Sequence, residues 1–255
     1  MIEHGNSQAL KNLLSQSAAH QVNQSTSGSG SQNASEISKA TDQQSQVRMS
    51  CMRMDRHFSA LVFACYTNQL DCLRILFEHG KELTTSKNHD VFIKEWLGGT
   101  GEQRDCLFYA VNHDNADMLS YLLDSVRLGA RANDKDESGQ SLLHIAAQKG
   151  NERIIFELAG DEPGYGADVN SVDANQNTPL HMAARANKPS AARFLLSLGA
   201  NIHDTNNDRD TPLHASVQAG NLRTCKDLLL KGAERSARNG QGQRAADLVD
   251  RIEDR

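Results

Sequence analysis

Apolar residues recur at three- and four-residue spacing through most of the second half of the chain, broken at regular intervals by short polar runs. The clearest stretch begins at Asp173. Leu180, Ala183 and Ala184 form one stripe, and Ala191, Phe194, Leu195 and Leu198 form a second. This is the period of an amphipathic helix with one buried face. Thr178 can cap the first helix, and Pro179 follows at the first helical position, where a missing N–H costs nothing. Gly199 ends the second stripe, as a left-handed C-terminal cap requires. The pattern predicts two short helices, neither able to bury its stripe without a neighbour.

The neighbours are copies of the same pattern. "DANQNTPLHMAARANKPSAARFLLSLGANI" begins at Asp173, and "NNDRDTPLHASVQAGNLRTCKDLLLKGAER" begins at Asn206, 33 residues later. "DESGQSLLHIAAQKGNERIIFELAG" begins at Asp136, 37 residues before Asp173, its extra four residues falling between Gly160 and Gly166. Weaker copies begin at Asp105, "DCLFYAVNHDNADMLSYLLDSV", and at Ser59, "SALVFACYTNQLDCLRILFEHG". A last copy, "NGQGQRAADLVDRIEDR", begins at Asn239 and reaches one helix. A fixed period of this length marks a repeat array, stabilised by stacking of each unit on the next.

These segments resemble the ankyrin repeat, whose pattern runs roughly D-x-x-G-x-T-P-L-H-x-A-A-x-x-G-x-x-x-x-V-x-x-L-L-x-x-G-A-D-x-N. The resemblance covers about residues 55 to 255, with two intact TPLH blocks in register with GA-type turns. It implies an all-α solenoid of about five helix-pair repeats plus a C-terminal half repeat, each with a β-turn finger. On that reading the repeats are about 55–84, 102–135, 136–172, 173–205 and 206–238, with the half repeat at 239–255, in an ankyrin-repeat domain of residues 51–255. Departures are specific. Asn187 and Pro189 stand for the usual Gly and a helix-interior residue, Gln176 and Arg209 stand for the finger glycine, and the first two units lack TPLH.

Two stretches interrupt the array. Half of residues 21–46 are Ser or Gln, too polar to offset the entropy of ordering, and residues 19–50 read as a flexible linker. Upstream, Ala9, Leu10, Leu13 and Leu14 predict an N-terminal helix within residues 1–18, either a capping half repeat or an isolated helix. The second interruption is an insertion at 84–101: Leu61 and Leu107 lie 46 residues apart, 13 beyond the period. Val91, Phe92, Trp96 and Leu97 recur there at helical spacing, serving either a binding face or as cover for two divergent repeats.

Composition narrows the function. Apolar residues are 38% and aromatics 5%, which suits thin layers built from Leu, Ile and Ala. The net charge is −5 with no run of Lys and Arg, so no nucleic-acid partner is expected. No signal peptide or membrane-spanning run is visible, so the chain reads as soluble with no membrane partner. Five cysteines without a CxxC pair point to a reducing, cytoplasmic compartment, the alternative being delivery into a host cell.

Chemistry is mostly excluded. His144, His181 and His214 occupy one repeat position. Packed helices stand about 8–10 Å apart, whereas ligands of one zinc ion lie about 2 Å from it, so the three histidines cannot share a metal. The resemblance implies that they hydrogen-bond the finger turns of adjacent units. Residues 204–210 place oxygens at alternate positions like a calcium loop, but Arg209 and Ala215 stand where Gly and Glu are needed. No cofactor, no metal site and no catalytic residue is expected; the chain reads as a non-enzyme.

What remains is surface. The resemblance implies that partners are gripped by finger positions and by the exposed ends of first helices. Carried over, these are Glu137, Ser138, Gln140, Gln148 and Lys149; then Asn175, Asn177 and Arg185; then Asn207, Asp208, Asp210 and Gln218. The weaker units add Tyr66, Asn112 and His113, and the insertion adds Trp96. The expected partner is another protein, gripped by a chain that is monomeric on its own. Three roles stay open: an interaction module, a stoichiometric inhibitor or immunity-type regulator of an enzyme, and a translocated effector acting as an adaptor.

Overall fold

The computed structural model describes residues 64–83, 106–124, 132–160 and 165–249. The N-terminal helix, the linker and the whole of the 84–101 insertion, with Trp96, lie outside the described residues. The chain divides into two compact units, Met1–Tyr109 and Ala110–Arg255.

In the first unit, residues 64–66 are helical and the chain turns at Asn68, whose φ is 58°. Helix α1 (Leu70–Leu83) follows, acidic in its first turn at Asp71. Leu73, Leu76 and Phe77 are buried, as are Ala64 and Cys65 before the turn. From Ala64 onward the Ser59 copy runs as helix, turn and helix; its residues 59–63 lie outside the described residues. Helix α2 (Cys106–Asn112) begins in this unit, with Cys106, Leu107 and Phe108 buried.

The second unit holds the end of α2 and then α3 (Ala116–Asp124), α4 (Leu142–Lys149), α5 (Glu152–Ala159), α6 (Pro179–Arg185), α7 (Pro189–Ser197), α8 (Pro212–Gln218), α9 (Leu222–Leu230) and a 3-10 turn at Ala245–Leu248. First helices α4, α6 and α8 pack in chain order, and the 3-10 turn closes the row against α8. Second helices α3, α5, α7 and α9 form a parallel row. The fold is the expected all-α stack. Its core lies between the rows: Leu142, Leu143, Ala146, Leu180, Ala183 and Leu213 from first helices, Ile154, Ile155, Leu158, Ala191, Leu195 and Leu228 from second helices, all buried. Each large aliphatic side chain so placed contributes about 1.5–3 kcal/mol. Alanines at 146, 183 and 184 keep the first helices close. No described helix is long and apolar enough to cross a membrane.

Backbone turns follow the repeat. After the first helix the chain passes through the left-handed region at Asp114 (φ 59°), Gly150 (84°), Asn187 (54°) and Gly220 (71°). Asn tolerates this region better than other non-glycine residues, so Asn187 substitutes at modest cost. Pro189 is not helix-interior, correcting the sequence expectation: it stands at the first turn of α7 behind Lys188, where its missing N–H is no loss. In the fingers, Gln176 (φ 60°) and Arg209 (58°) adopt the same left-handed geometry as Gly139 (73°), and carry the strain that glycine avoids.

Candidate functional site

Each finger is a turn tied to its neighbour. In the finger before α4, an isolated antiparallel bridge joins Lys135 to Ser141, and in the last finger another joins Arg238 to Arg244. An Asx residue organises each turn from below. Asp173 Oδ1 accepts the N–H groups of Asn175 and Asn177, both at 2.8 Å. Asn206 does the same for Asp208 and Asp210 at 3.0 Å, and Asn239 for Gln241 and Gln243. The tips then join across repeats through backbone bonds: Ala174 N–H to Ser138 O (3.0 Å), Asn207 N–H to Asn175 O (3.0 Å) and Gly240 N–H to Asp208 O (2.7 Å). Four fingers therefore make one continuous edge.

The geometry that recurs below them is a row of buried imidazoles. The Ser141 N–H donates to His144 Nδ1 at 3.1 Å, and the same bond recurs from Thr178 to His181 (3.1 Å) and from Thr211 to His214 (3.3 Å). On the far side of each ring, Nε2 faces a carbonyl oxygen of the next finger: Asn177 O at 2.9 Å, Asp210 O at 3.0 Å and Gln243 O at 3.1 Å. A carbonyl can only accept and a backbone N–H can only donate, so in this bond pattern Nε2 is the donor and Nδ1 the acceptor of each ring. Burial lowers the pKa of His144 and of His181 below the usual 6.5, against the partial opposition of those carbonyls. The histidines are structural, as the resemblance implied. Among the described residues no group of three His, Cys, Asp or Glu is placed to hold a metal ion.

The side chains assigned to a binding face divide into three classes of placement. Glu137, Ser138, Asn175, Asn207 and Asp208 are exposed at the finger tips, and Gln140 is half-buried. Gln148, Lys149, Arg185 and Gln218 are exposed at the ends of α4, α6 and α8. Asn177 and Asp210 do not belong with them: they are 3% and 4% exposed. Asn177 Oδ1 accepts from Asn206 Nδ2 at 3.0 Å, and Asp210 Oδ1 accepts from Asn239 Nδ2 at 3.0 Å, with Gln218 Nε2 on its other oxygen at 2.7 Å. Asn177 Nδ2 donates to Asp173 of its own turn, so the polar atoms of both side chains are spent within the repeat or on the next one, and neither is presented to a partner. In the first unit Tyr66 is 51% exposed, its ring edge-on to Tyr109 with centroids 5.6 Å apart. Asn112 is half-buried and His113 exposed, in the second unit.

Further ties hold the outer side of the stack. Asn133 bridges repeats by donating to Gly166 O (3.0 Å) and accepting from Asp168 N–H (2.8 Å), and Asn170 repeats this with Gly199 O (3.3 Å) and Asn201 N–H (2.8 Å). Asn221 Nδ2 reaches back to the carbonyls of Ala184 and Arg185, both at 2.8 Å. Sequence reasoning missed two exposed leucines of α9, Leu222 and Leu230; their four-residue spacing with Lys226 was the available signal.

Comparison with known proteins places this geometry. A family profile described as ankyrin repeats (3 copies) matches residues 85–173 and 143–239. Inversin of the dog is 37% identical over 93 residues, 36% of this chain but 8% of inversin. The putative ankyrin repeat protein FPV223 of fowlpox virus is 30% identical over 124 residues, 48% of this chain and 78% of that protein. Protein phosphatase 1 regulatory subunit 27 of the mouse is 40% identical over 62 residues, 24% of this chain and 38% of that protein. The chain thus spans a small fraction of inversin and less than half of the phosphatase subunit.

Proposed function

Because the chain belongs to the ankyrin-repeat family, we propose that it is a non-catalytic module that binds another protein across the finger edge and the exposed ends of its first helices. The supporting observation is the finger edge itself. Its turns are held by Asx side chains from beneath and by backbone bonds from tip to tip; Ser138 and Asn207 add side-chain bonds to Asp136 and to the Ala174 carbonyl, while Glu137, Asn175 and Asp208 project from turns that other groups hold. A rigid row of outward polar side chains binds at little ordering cost. Beside it, Gln148, Lys149, Arg185 and Gln218 supply a second polar row.

The partner is a protein and the chain is a monomer on its own. The free thiols of Cys65, Cys72, Cys106 and Cys225 favour a reducing compartment such as the cytoplasm. The domain plan is an N-terminal helix, a Ser/Gln-rich linker and the ankyrin-repeat domain from residue 51. The likeness over 62 residues to a protein named as a phosphatase regulatory subunit favours a second reading, a stoichiometric regulator of an enzyme. Affinity capture with the wild-type chain and with an Asn175→Arg, Arg185→Glu, Asn207→Arg triple variant tests the placement. The triple variant should lose a partner that the wild type retains; equal recovery would reject this face. Loss of a captured enzyme's activity at a one-to-one ratio would select the regulatory reading.

A further inference from the structure

Asn239 organises the last finger, and the residue after it is Gly240. Earlier fingers place Glu137, Ala174 and Asn207 at that following position, and Asn239–Gly240 is the sole Asn-Gly pair of the whole sequence. The fold itself demands the glycine. A Cβ at 240 would lie 2.9 Å from the carbonyl oxygen of Asp208, to which the Gly240 N–H donates at 2.7 Å. Asn before Gly is also the pair at which a chain attacks itself most readily, because no side chain shields the glycine nitrogen. Gly240 N gives its proton to hydroxide and forms a bond to Cγ of Asn239. Nδ2 takes a proton from water and leaves as ammonia, closing a succinimide ring. Water then opens the ring at either carbonyl, leaving Asp at 239 or an isoaspartyl link that runs the backbone through the side chain.

Both nitrogens of that reaction are held by the preceding repeat. The Gly240 proton lies in the bond to Asp208 O, and Asn239 Nδ2 donates to Asp210 Oδ1 at 3.0 Å. Asn239 Oδ1 accepts from Gln241 and Gln243, and the residue is 7% exposed. A docked finger keeps the nucleophile protonated and its target dry; a lifted finger frees both. We propose that Asn239–Gly240 is a self-modification site latched by the fifth repeat: it deamidates when the last finger lifts, and the product keeps that finger from seating again. The Asp product still organises the turn but lacks the donor to Asp210, so two carboxyl groups face each other where Asp210 is 4% exposed. The isoaspartyl product lengthens the backbone between Arg238 and Arg244, which bridge the turn. Either change draws Gln243 O away from His214 Nε2, and the 3-10 turn with buried Ala245 and Leu248 loses its seat on α8. A covalent, irreversible step thereby uncaps the carboxyl end of the stack.

The test incubates the full chain, folded and in urea, at mildly alkaline pH and follows the tryptic fragment 239–244 by mass spectrometry, with isoaspartyl methylation to detect the rearranged product. In urea Asn239 should deamidate ahead of Asn206, which is followed by Asn207 rather than glycine. The folded chain should react at Asn239 at least about tenfold more slowly, as a site reached only through local opening does. Asp210→Ala removes the hold on Nδ2 and should raise the folded rate severalfold, with hydrogen exchange in α6 and α7 unchanged. Asn239→Asp, which installs the product directly, should speed exchange across residues 239–248 and leave α6 and α7 as they were. Equal rates in the folded chain and in urea would overturn the proposal. So would an Asp210→Ala chain that reacts no faster, or one that reacts faster only because α6 and α7 open as well. Unchanged exchange at 239–248 in Asn239→Asp would overturn it too.

Discussion

The Nε2–H of His181 donates to the carbonyl oxygen of Asp210, 3.0 Å away and one repeat further along, while its Nδ1 accepts the N–H of Thr178 at 3.1 Å. One ring thereby starts its own first helix and fastens the next finger. The bond pattern requires the neutral ring, and that requirement has a measurable consequence.

Stability should fall on acidification below about pH 6.5. The folded-state pKa values of His144 and His181 are lowered, chiefly by burial, so the unfolded chain takes up protons that the folded chain refuses. Their stabilising contribution is fully present above 6.5 and is lost as pH falls through the folded values. Urea titrations at pH 7.5 and 5.5 should show lower stability at the acid pH, and His181→Leu should reduce that difference while lowering stability at both. An unchanged difference would remove His181 from the explanation.

Asn206→Asp keeps the oxygen that organises the finger turn and removes the donor that reaches Asn177 Oδ1 at 3.0 Å. Two buried oxygens then face each other. The expected loss is about 1–3 kcal/mol in chemical denaturation, the usual cost of an unsatisfied buried polar group. A loss below the error of the measurement would mean that the cross-repeat bond carries no stability.

A Cβ at Gly139 would lie 2.7 Å from the backbone nitrogen of Ala174, whereas one at Gly242 would meet nothing within 4 Å. Both residues have positive φ, so Ala is strained at each, but only at Gly139 must two fingers part. Gly139→Ala should lower the melting temperature more than Gly242→Ala. Equal shifts would show that strain alone matters.

Gln176 and Arg209 hold left-handed backbone at finger positions where glycine would rest without strain. Gln176→Gly and Arg209→Gly should each stabilise by up to about 1 kcal/mol, the strain relieved less the extra chain entropy of glycine. Thermal denaturation checks the sign, and a clear loss at both positions would contradict it.

Much of this structure was legible in the sequence because each repeat writes its own boundaries. Thr178-Pro179 and Thr211-Pro212 start first helices where expected, and the spacing of Ala191, Leu195 and Leu228 identifies the buried sides of α7 and α9. The finger tips were legible as turns but not as individual exposures. Asn177 and Asp210 follow the same polar alternation as Asn175 and Asp208, and only the neighbouring repeat's Asn206 and Asn239 decide that they are covered. The exposure of Leu222 and Leu230 was missed for a related reason: a leucine at a helical position reads as core unless no neighbouring element lies over it. Local pattern determines what each unit is; contact with the next unit determines which of its polar groups stay dry.

The imidazole row also gives the array a direction. Every one of these rings spends its N–H on the unit that follows it, never on the one before. Peeling a unit away from the carboxyl side takes the acceptor from an imidazole set in the helix row, while peeling from the amino side takes the donor from a carbonyl at a finger turn. Dissolution of the stack should therefore be easier from one end than from the other, a polarity written into three histidines rather than into any difference in the size of the repeats.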